Sequence, residues 1–150
     1  MCIRDSVNGT LTINPVALTI TASNQSKAYG QMVTFAGTEF STSGLLNSDT
    51  VTGASLSSMG AAAGAAVNGS PYSIGVTNAV GTGLTNYTIS YVNGQLTVTP
   101  VLLTVMANST NRLYGAINPA FTVTYSGFVN GDTANVLNGM PSLTLSLIHI

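Results

Sequence analysis

A repeat with a period of 85 residues constrains the fold of this chain more than any other feature of its sequence. Residues 7–30 align without a gap on residues 92–115, and 12 of the 24 aligned pairs are identical. Most of the other pairs are conservative, such as Lys27 with Arg112. Self-similarity at a fixed period marks an array of structural units. We therefore expect tandem small domains and not a single fold of 150 residues.

A second match sets the limits of these units. Gly44–Thr50 corresponds to Gly127–Thr133 at an offset of 83, so one unit is two residues longer before this point. We predict the last strand of a preceding repeat at 7–15 and a complete repeat at 16–100, here called the middle repeat. The start of another repeat, here called the following repeat, is expected at 101–146.

Apolar residues alternate with Thr and Ser in several short runs, which predicts half-buried strands. The clearest runs are Leu18, Ile20 and Ala22; Tyr72, Ile74 and Val76; Tyr87, Ile89 and Tyr91; Leu96 and Val98; and Phe121, Val123 and Tyr125. We predict an all-β fold, either a small β-sandwich or a β-grasp-like sheet. The only helix expected is a short turn over 132–137 with Asp132 as its N-cap, and Asp49 is a weaker candidate for the same role.

Asn93 and Gly94 lie between two of these runs, which is a strong signal for a two-residue hairpin turn. This turn places Tyr91 opposite Leu96 and Ile89 opposite Val98. Asn8 and Gly9 predict the same hairpin for the preceding repeat.

Two further features are expected at the ends of the units. Pro100 lies where one repeat meets the next, and the short linker around it would limit their relative orientations. Tyr29-Gly30 and Tyr114-Gly115 are each interpreted as a tight turn in which the Tyr ring covers the edge of the core and Gly takes a conformation that other residues avoid.

Charge is scarce in this sequence. Only 5% of residues are charged and the net charge is −1, so no basic patch is available to neutralise nucleic-acid phosphates or to bind anionic membranes. No apolar run approaches the roughly 18 residues of a membrane-spanning helix. The partners that we expect are therefore neighbouring repeats of the same chain.

The sequence offers no group of residues for catalysis, for a metal or for a cofactor. Apart from the ends, it has no Cys or His, and its acids are Glu39, Asp49 and Asp132. These are too few for a metal cage or an acid/base pair, so we predict that the chain is not an enzyme. Lys27 could in principle form an internal isopeptide bond with an Asn, but Arg112 replaces it in the next unit, and a solvated turn cation is the preferred interpretation.

The two ends differ from everything between them. Residues 1–6 and 147–150 hold the only cysteine and the only histidine, and they resemble translated sequencing-adapter read-through in environmental gene fragments. We expect no structural role for either end.

Three segments together resemble the MBG domains, which are mostly-β, glycine-rich modules of the Tyr-Gly type. These segments are the Tyr-Gly pair that follows a Pro-Val-x-Leu-Thr strand, the run Gly127–Thr133, and the run Asn86–Val98. Asn47-Ser48-Asp49 departs from the Asn-Gly-Asp pattern of the family. The resemblance implies a stalk module of large secreted bacterial surface proteins, namely filamentous-haemagglutinin-like or autotransporter adhesins of the outer membrane.

The alternative function is binding of host glycans or proteins by the same module. Tyr72 and Tyr87 are the candidate contact residues for such a ligand. This alternative requires that their rings be exposed.

Overall fold

A computed structural model describes residues 9–145, which contain nine β-strands, four single 3₁₀ turns and no α-helix. The all-β prediction is therefore confirmed. The strands are β1 (Val16–Ala22), β2 (Gln25–Ala28), β3 (Phe40–Ser43), β4 (Val51–Ser57), β5 (Tyr72–Gly81), β6 (Tyr87–Val92), β7 (Gly94–Thr99), β8 (Thr104–Ala107) and β9 (Val123–Ser126). The 3₁₀ turns are Met59–Ala61, Val67–Gly69, Leu84–Asn86 and Ala134–Val136.

The strands form three sheets, with the orders β3-β1-β6, β2-β7-β5-β4 and β8-β9. The first two belong to the middle repeat and the third to the following repeat. The middle repeat therefore contains two separate sheets, and not the single sheet of the β-grasp-like alternative.

Contacts divide the described residues into two compact units, of which the first comprises 9–25, 34–58 and 73–95. In this unit β1 pairs with β6 in parallel, with Leu18 opposite Ile89, and with β3 in the antiparallel sense. Leu18, Ile20 and Ala22 are buried while the residues between them are not, as the alternation predicts. Ile74 and Val76 on β5 are buried in the same alternating way. Strand periodicity thus identified most of the core of this unit correctly.

The second unit comprises residues 26–33, 59–72 and 96–145. Leu96 and Val98 are its most deeply buried apolar side chains. β8 and β9 form an antiparallel pair in which Val105 lies opposite Tyr125. All four residues of β8 are exposed, with Val105 at 44%, whereas half-buried and exposed residues alternate along β9.

The predicted Asn-Gly hairpin is wrong. β6 and β7 lie in different sheets, and Ile89 and Tyr91 pair with Leu18 and Ile20 of β1. Neither Asn93 nor Gly94 has the positive φ that the type I′ turn requires. Gly94 is needed for a close approach instead, because a Cβ on it would lie 2.6 Å from the Ala22 carbonyl oxygen.

Three other expectations differ from the structure. Residues 9–15 are exposed and lie outside the described strands, while the last strand of a preceding repeat at 7–15 stays a prediction. The short helical turn predicted in 132–137 is present at Ala134–Val136, but its cap is Thr133, whose hydroxyl accepts the Asn135 N–H, and not Asp132. Asp49 caps no helix. Asn8 and residues 1–6 and 147–150 lie outside the described part of the chain.

Candidate functional site

Two turns have the same backbone conformation in both repeats. The first, here called the Tyr-Gly turn, covers residues 28–31 and 113–116, and it has φ of +86° at Gly30 and +80° at Gly115. The second, here called the Gly-Asp turn, covers residues 44–49 and 127–132, and its first glycine has φ of +106° in one copy and +110° in the other. The sequence repeat is thus also a repeat of backbone geometry at these two turns.

Lys27 precedes the Tyr-Gly turn of the middle repeat and is buried, with 5% of its surface exposed. Its Nζ donates to the carbonyl oxygens of Gln31, at 2.7 Å, and of Ala62. The prediction of a solvated turn cation is therefore wrong. A buried ammonium needs such acceptors, since charge removed from water without partners is very costly. Both contacts are backbone carbonyls, whereas an isopeptide bond would require an Asn side chain.

The loop that contains Ala62 is fixed against the same turn by backbone hydrogen bonds. Gly30 N–H donates to Ala63 O at 3.1 Å, and Val33 N–H donates to Ala61 O at 2.9 Å. On its other side Tyr29 N–H donates to Thr99 O at 2.9 Å, at the end of β7. The run of small residues from Gly60 to Val67 is thus a defined connection, and Lys27 and the Tyr-Gly turn hold it in place.

The Tyr-Gly turn of the middle repeat is in contact with the following repeat. A Cβ on Gly30 would lie 2.7 Å from Cγ2 of Val129, which is too close for any side chain to fit without displacement. Beside it, a Cβ on Gly64 would lie 3.4 Å from Nδ2 of Asn130. Val129 and Asn130 belong to the Gly-Asp turn of the following repeat. One repeat therefore presents its Tyr-Gly turn to the Gly-Asp turn of the next.

An apolar groove continues this contact at the linker. It is lined by Tyr29, Val67 and Pro100 of the middle repeat and by Phe128, Val129 and Val136 of the following repeat. Tyr29, which was predicted in a turn, and Pro100, which was predicted in the linker, therefore lie together at the joint between the repeats. Burial of apolar side chains in such a groove favours a preferred arrangement of the two repeats over a free linker.

Tyr87, a candidate ligand contact, is 9% exposed and faces inward. Its hydroxyl donates to Asp49 Oδ2 at 2.8 Å and accepts the Leu46 N–H at 2.8 Å. Burial raises the pKa of the Tyr87 phenol, and the neighbouring Asp49 carboxylate raises it further, while the Leu46 backbone opposes these effects. The expectation of an exposed ring is thus wrong for Tyr87, whose hydroxyl ties β6 to the Gly-Asp turn.

Tyr72, the other candidate ligand contact, is half-buried. Its ring covers two glycines, because a Cβ on Gly60 would lie 2.7 Å from the ring and one on Gly69 would lie 2.5 Å from the hydroxyl. The hydroxyl donates to Ala66 O at 2.8 Å. The ring and the hydroxyl of Tyr72 therefore both contact the 59–69 loop.

Glu39 binds a backbone turn that it follows in sequence. Its carboxylate accepts the N–H groups of Ala36, Gly37 and Thr38 at 2.8, 2.9 and 3.0 Å. These hydrogen bonds, that from Ala36 foremost, hold the pKa of Glu39 below its ordinary value of 4.5, against a smaller effect of burial. The carboxylate is thus used to close a turn.

The described residues contain few groups with reactive chemistry. Among residues 9–145, no three His, Cys, Asp or Glu side chains are grouped so that they could hold a metal ion. No helix in the same part of the chain has the length and apolarity needed to cross a bilayer.

Comparison with protein families agrees with the repeated geometry. The family model described as MBG domain (YGX type) matches residues 18–97 and again 103–147. The chain belongs to the MBG domain family. Within this family the Y and G of the type name fit Tyr29-Gly30 and Tyr114-Gly115, the residues of the Tyr-Gly turn. No curated protein and no solved structure matches the chain significantly.

Sequence reasoning identified the turns of this MBG pair but not what they contact. The replacement of Lys27 by Arg112 in the next unit favours a solvated turn cation, but one acceptor of Lys27, Ala62 O, lies 35 residues away and is not visible in the local sequence. Val129 carried no signal of its own. Its correspondence to Leu46 is the one sign in the sequence that an apolar side chain is kept at this position.

Proposed function

We propose that this chain is a structural spacer from the stalk of a secreted bacterial surface protein, of the filamentous-haemagglutinin-like or autotransporter kind. Its repeats project a distant binding region away from the cell, and the unit itself performs no catalysis. Two consecutive MBG domains in direct contact at their joint support this role, since a stalk needs modules that repeat and keep their direction.

The composition of the surface supports the same proposal. With 5% charged residues, the repeat offers solvent mainly hydroxyl and amide groups. Such a surface hydrates well without the charged patches that attract nucleic acid or acidic partners. A spacer benefits from this property, because contacts along its length would compete with those at its tip.

The test places the chain between an outer-membrane anchor and an epitope tag, in one copy or in two copies. We expect binding of an antibody to the tag on intact cells to rise with the number of copies, because each copy moves the tag further from the surface polysaccharide. A flexible Gly/Ser linker of equal residue number is the control, and it should raise antibody binding less. Equal effects of chain and linker would contradict the spacer role.

The alternative, a module that binds glycans or host proteins, is tested with the purified chain on a glycan array and on immobilised matrix proteins. The spacer proposal expects no saturable binding. A hit that is lost in Tyr72→Ala but kept in Tyr91→Ala would instead favour the binding module. Tyr87 is unsuited to this comparison, because its buried hydroxyl stabilises the fold.

A further inference from the structure

The two Tyr-Gly turns of the chain have the same backbone but different surroundings. Gly30 is in contact with Val129, whereas a Cβ on Gly115 would meet nothing within 4 Å. Beside Gly115, Leu113 is 82% exposed and Tyr114 is fully exposed. In the middle repeat, the side chain that meets the glycine of this turn comes from the following repeat, and among the described residues Gly115 has no such neighbour.

We propose that the Tyr-Gly turn is the docking site through which each repeat binds the Gly-Asp turn of the next copy of the same unit. The turn at Leu113, Tyr114 and Gly115 is accordingly the site for a further copy. This inference rests on the proposed spacer role, because it assumes that units follow one another in series.

The identity of the occupant follows from the occupied joint. There the Gly-Asp turn presents Val129 to a glycine that leaves room for it, and Asn130 to Gly64. The middle repeat presents the equivalent residue, Leu46, which is 50% exposed, on a turn with the same backbone. Leu46 is thus the residue through which the middle repeat would contact a Tyr-Gly turn in the same way.

This contact uses a different surface on each partner, so it is heterologous and does not close on itself. Heterologous contacts that do not close generate open linear assemblies. Covalent linkage of the repeats supplies each joint with its partner at high effective concentration, so that even a small groove can be occupied. The Tyr-Gly motif thereby sets the direction of the array.

The occupied joint is tested with the pair Gly30→Ala and Gly115→Ala. Both substitutions place a Cβ on a glycine of nearly equal positive φ, at +86° and +80°, so the backbone strain is matched. Only the first adds a clash with Val129. Spin labels on cysteines at Ser26 on β2 and Thr104 on β8, both exposed, report the distance between the repeats after Cys2→Ser.

We expect a narrow distance distribution for the parent chain and for Gly115→Ala, and loss of the narrow distribution in Gly30→Ala. Val129→Asp, which leaves both glycines unchanged, should give the same loss. Equal behaviour of the two glycine variants, or a narrow distribution in Val129→Asp, would overturn the proposal. Circular dichroism shows whether Gly30→Ala or Val129→Asp has unfolded. If one of them has, the distance distribution of the other tests the joint.

The open site is tested between molecules. An isotope-labelled chain is mixed at high concentration with an unlabelled chain that carries a spin label at Thr42, an exposed residue of β3 close to the Gly-Asp turn in sequence. We expect selective loss of NMR signal at Leu113, Tyr114 and Gly115, and none when the spin-labelled chain also carries Leu46→Asp. Uniform loss, or loss that persists with Leu46→Asp, would overturn the assignment of this site.

These outcomes are separate from those of the spacer test. A rigid joint in a protein that fails to extend the tag on cells would refute the surface role and keep the docking site. If the tag is extended but the distance distribution is broad, the surface role is kept and the docking site is refuted.

Discussion

Ser48 stands where the following repeat has Gly131, and both residues have a left-handed backbone, with φ of +62° and +78°. A side chain at such an angle costs about 1–2 kcal/mol relative to glycine, because Cβ approaches the following carbonyl. The turn is held by other contacts, since Asp49 accepts the Tyr87 hydroxyl and its N–H donates to Leu46 O. The departure from Asn-Gly-Asp that the sequence shows is therefore a local energetic cost and not a change of turn.

Ser48→Gly should raise the free energy of unfolding of the middle repeat by about 1 kcal/mol, since it removes the strain but adds freedom to the unfolded chain. Gly131→Ser is the matched variant in the other copy and should have the opposite sign. Urea denaturation of both variants measures the effect. Destabilisation by Ser48→Gly would show that the serine hydroxyl contributes more than its backbone conformation costs.

Glu39 should make stability depend on pH in the acid range. Its folded pKa is depressed by three backbone hydrogen bonds, so its contribution is fully present above the ordinary value of 4.5 and is lost as the pH falls through the folded pKa. The free energy of unfolding should therefore decrease on acidification below this value. In Glu39→Gln the decrease should be smaller, and the two proteins should become more alike in stability as the pH falls. A difference between them that is the same at all pH values would refute this linkage.

At the scale of secondary-structure elements, a few polar contacts between distant parts of the chain join the strands and loops of this MBG pair. Tyr87 on β6 bonds to the Gly-Asp turn, and Lys27 on β2 bonds to the 59–69 loop. The following repeat has Arg112 at the place of Lys27, where its guanidinium donates to Ala116 O at 3.0 Å across its own turn. The same turn is thus stabilised in one copy by a long-range contact and in the other by a local one.

Lys27→Met should destabilise the chain by about 1–2 kcal/mol, because the carbonyl oxygens of Gln31 and Ala62 lose their donor while the apolar stem is kept. Arg112→Met should change the stability by less than about 0.5 kcal/mol, as is usual for an exposed residue. Hydrogen exchange at the amides of Gly30 and Val33, which bond to the same loop, should be faster in Lys27→Met only. Equal effects of the two variants would contradict a role of Lys27 in holding the 59–69 loop in place.

At the scale of the whole molecule, the two MBG repeats meet through a small apolar joint. In such arrays stability is approximately the sum of the intrinsic stabilities of the units and the interface terms between neighbours. Long-range electrostatics contributes little here, because the chain has a net charge of −1 and only 5% charged residues.

The thermal midpoint of the whole chain should therefore change very little between about 0.1 M and about 1 M NaCl, although the Debye length falls from about 10 Å to about 3 Å. A scan of the midpoint against NaCl concentration measures this. Lys27→Met should show the same flat dependence, because Nζ bonds to neutral carbonyls. A large change with NaCl in the parent chain would reveal an ionic interaction of structural weight.

The sequence by itself determined the repeat, the all-β class, most buried strand positions and the left-handed glycines of the two copies of the Tyr-Gly turn. These are local properties, since periodicity of two and positive φ are consequences of a few neighbouring residues. Only the tertiary structure decided that β6 pairs with β1 and not with β7, that Lys27 is buried, and that Gly30 receives Val129. Each of these depends on residues far apart in sequence. Each also depends on how closely two backbone segments can approach, as they do where Gly94 lies beside Ala22. An Asn-Gly pair permits a hairpin, but β6 pairs with β1, which is distant in sequence, and local residues cannot specify that choice.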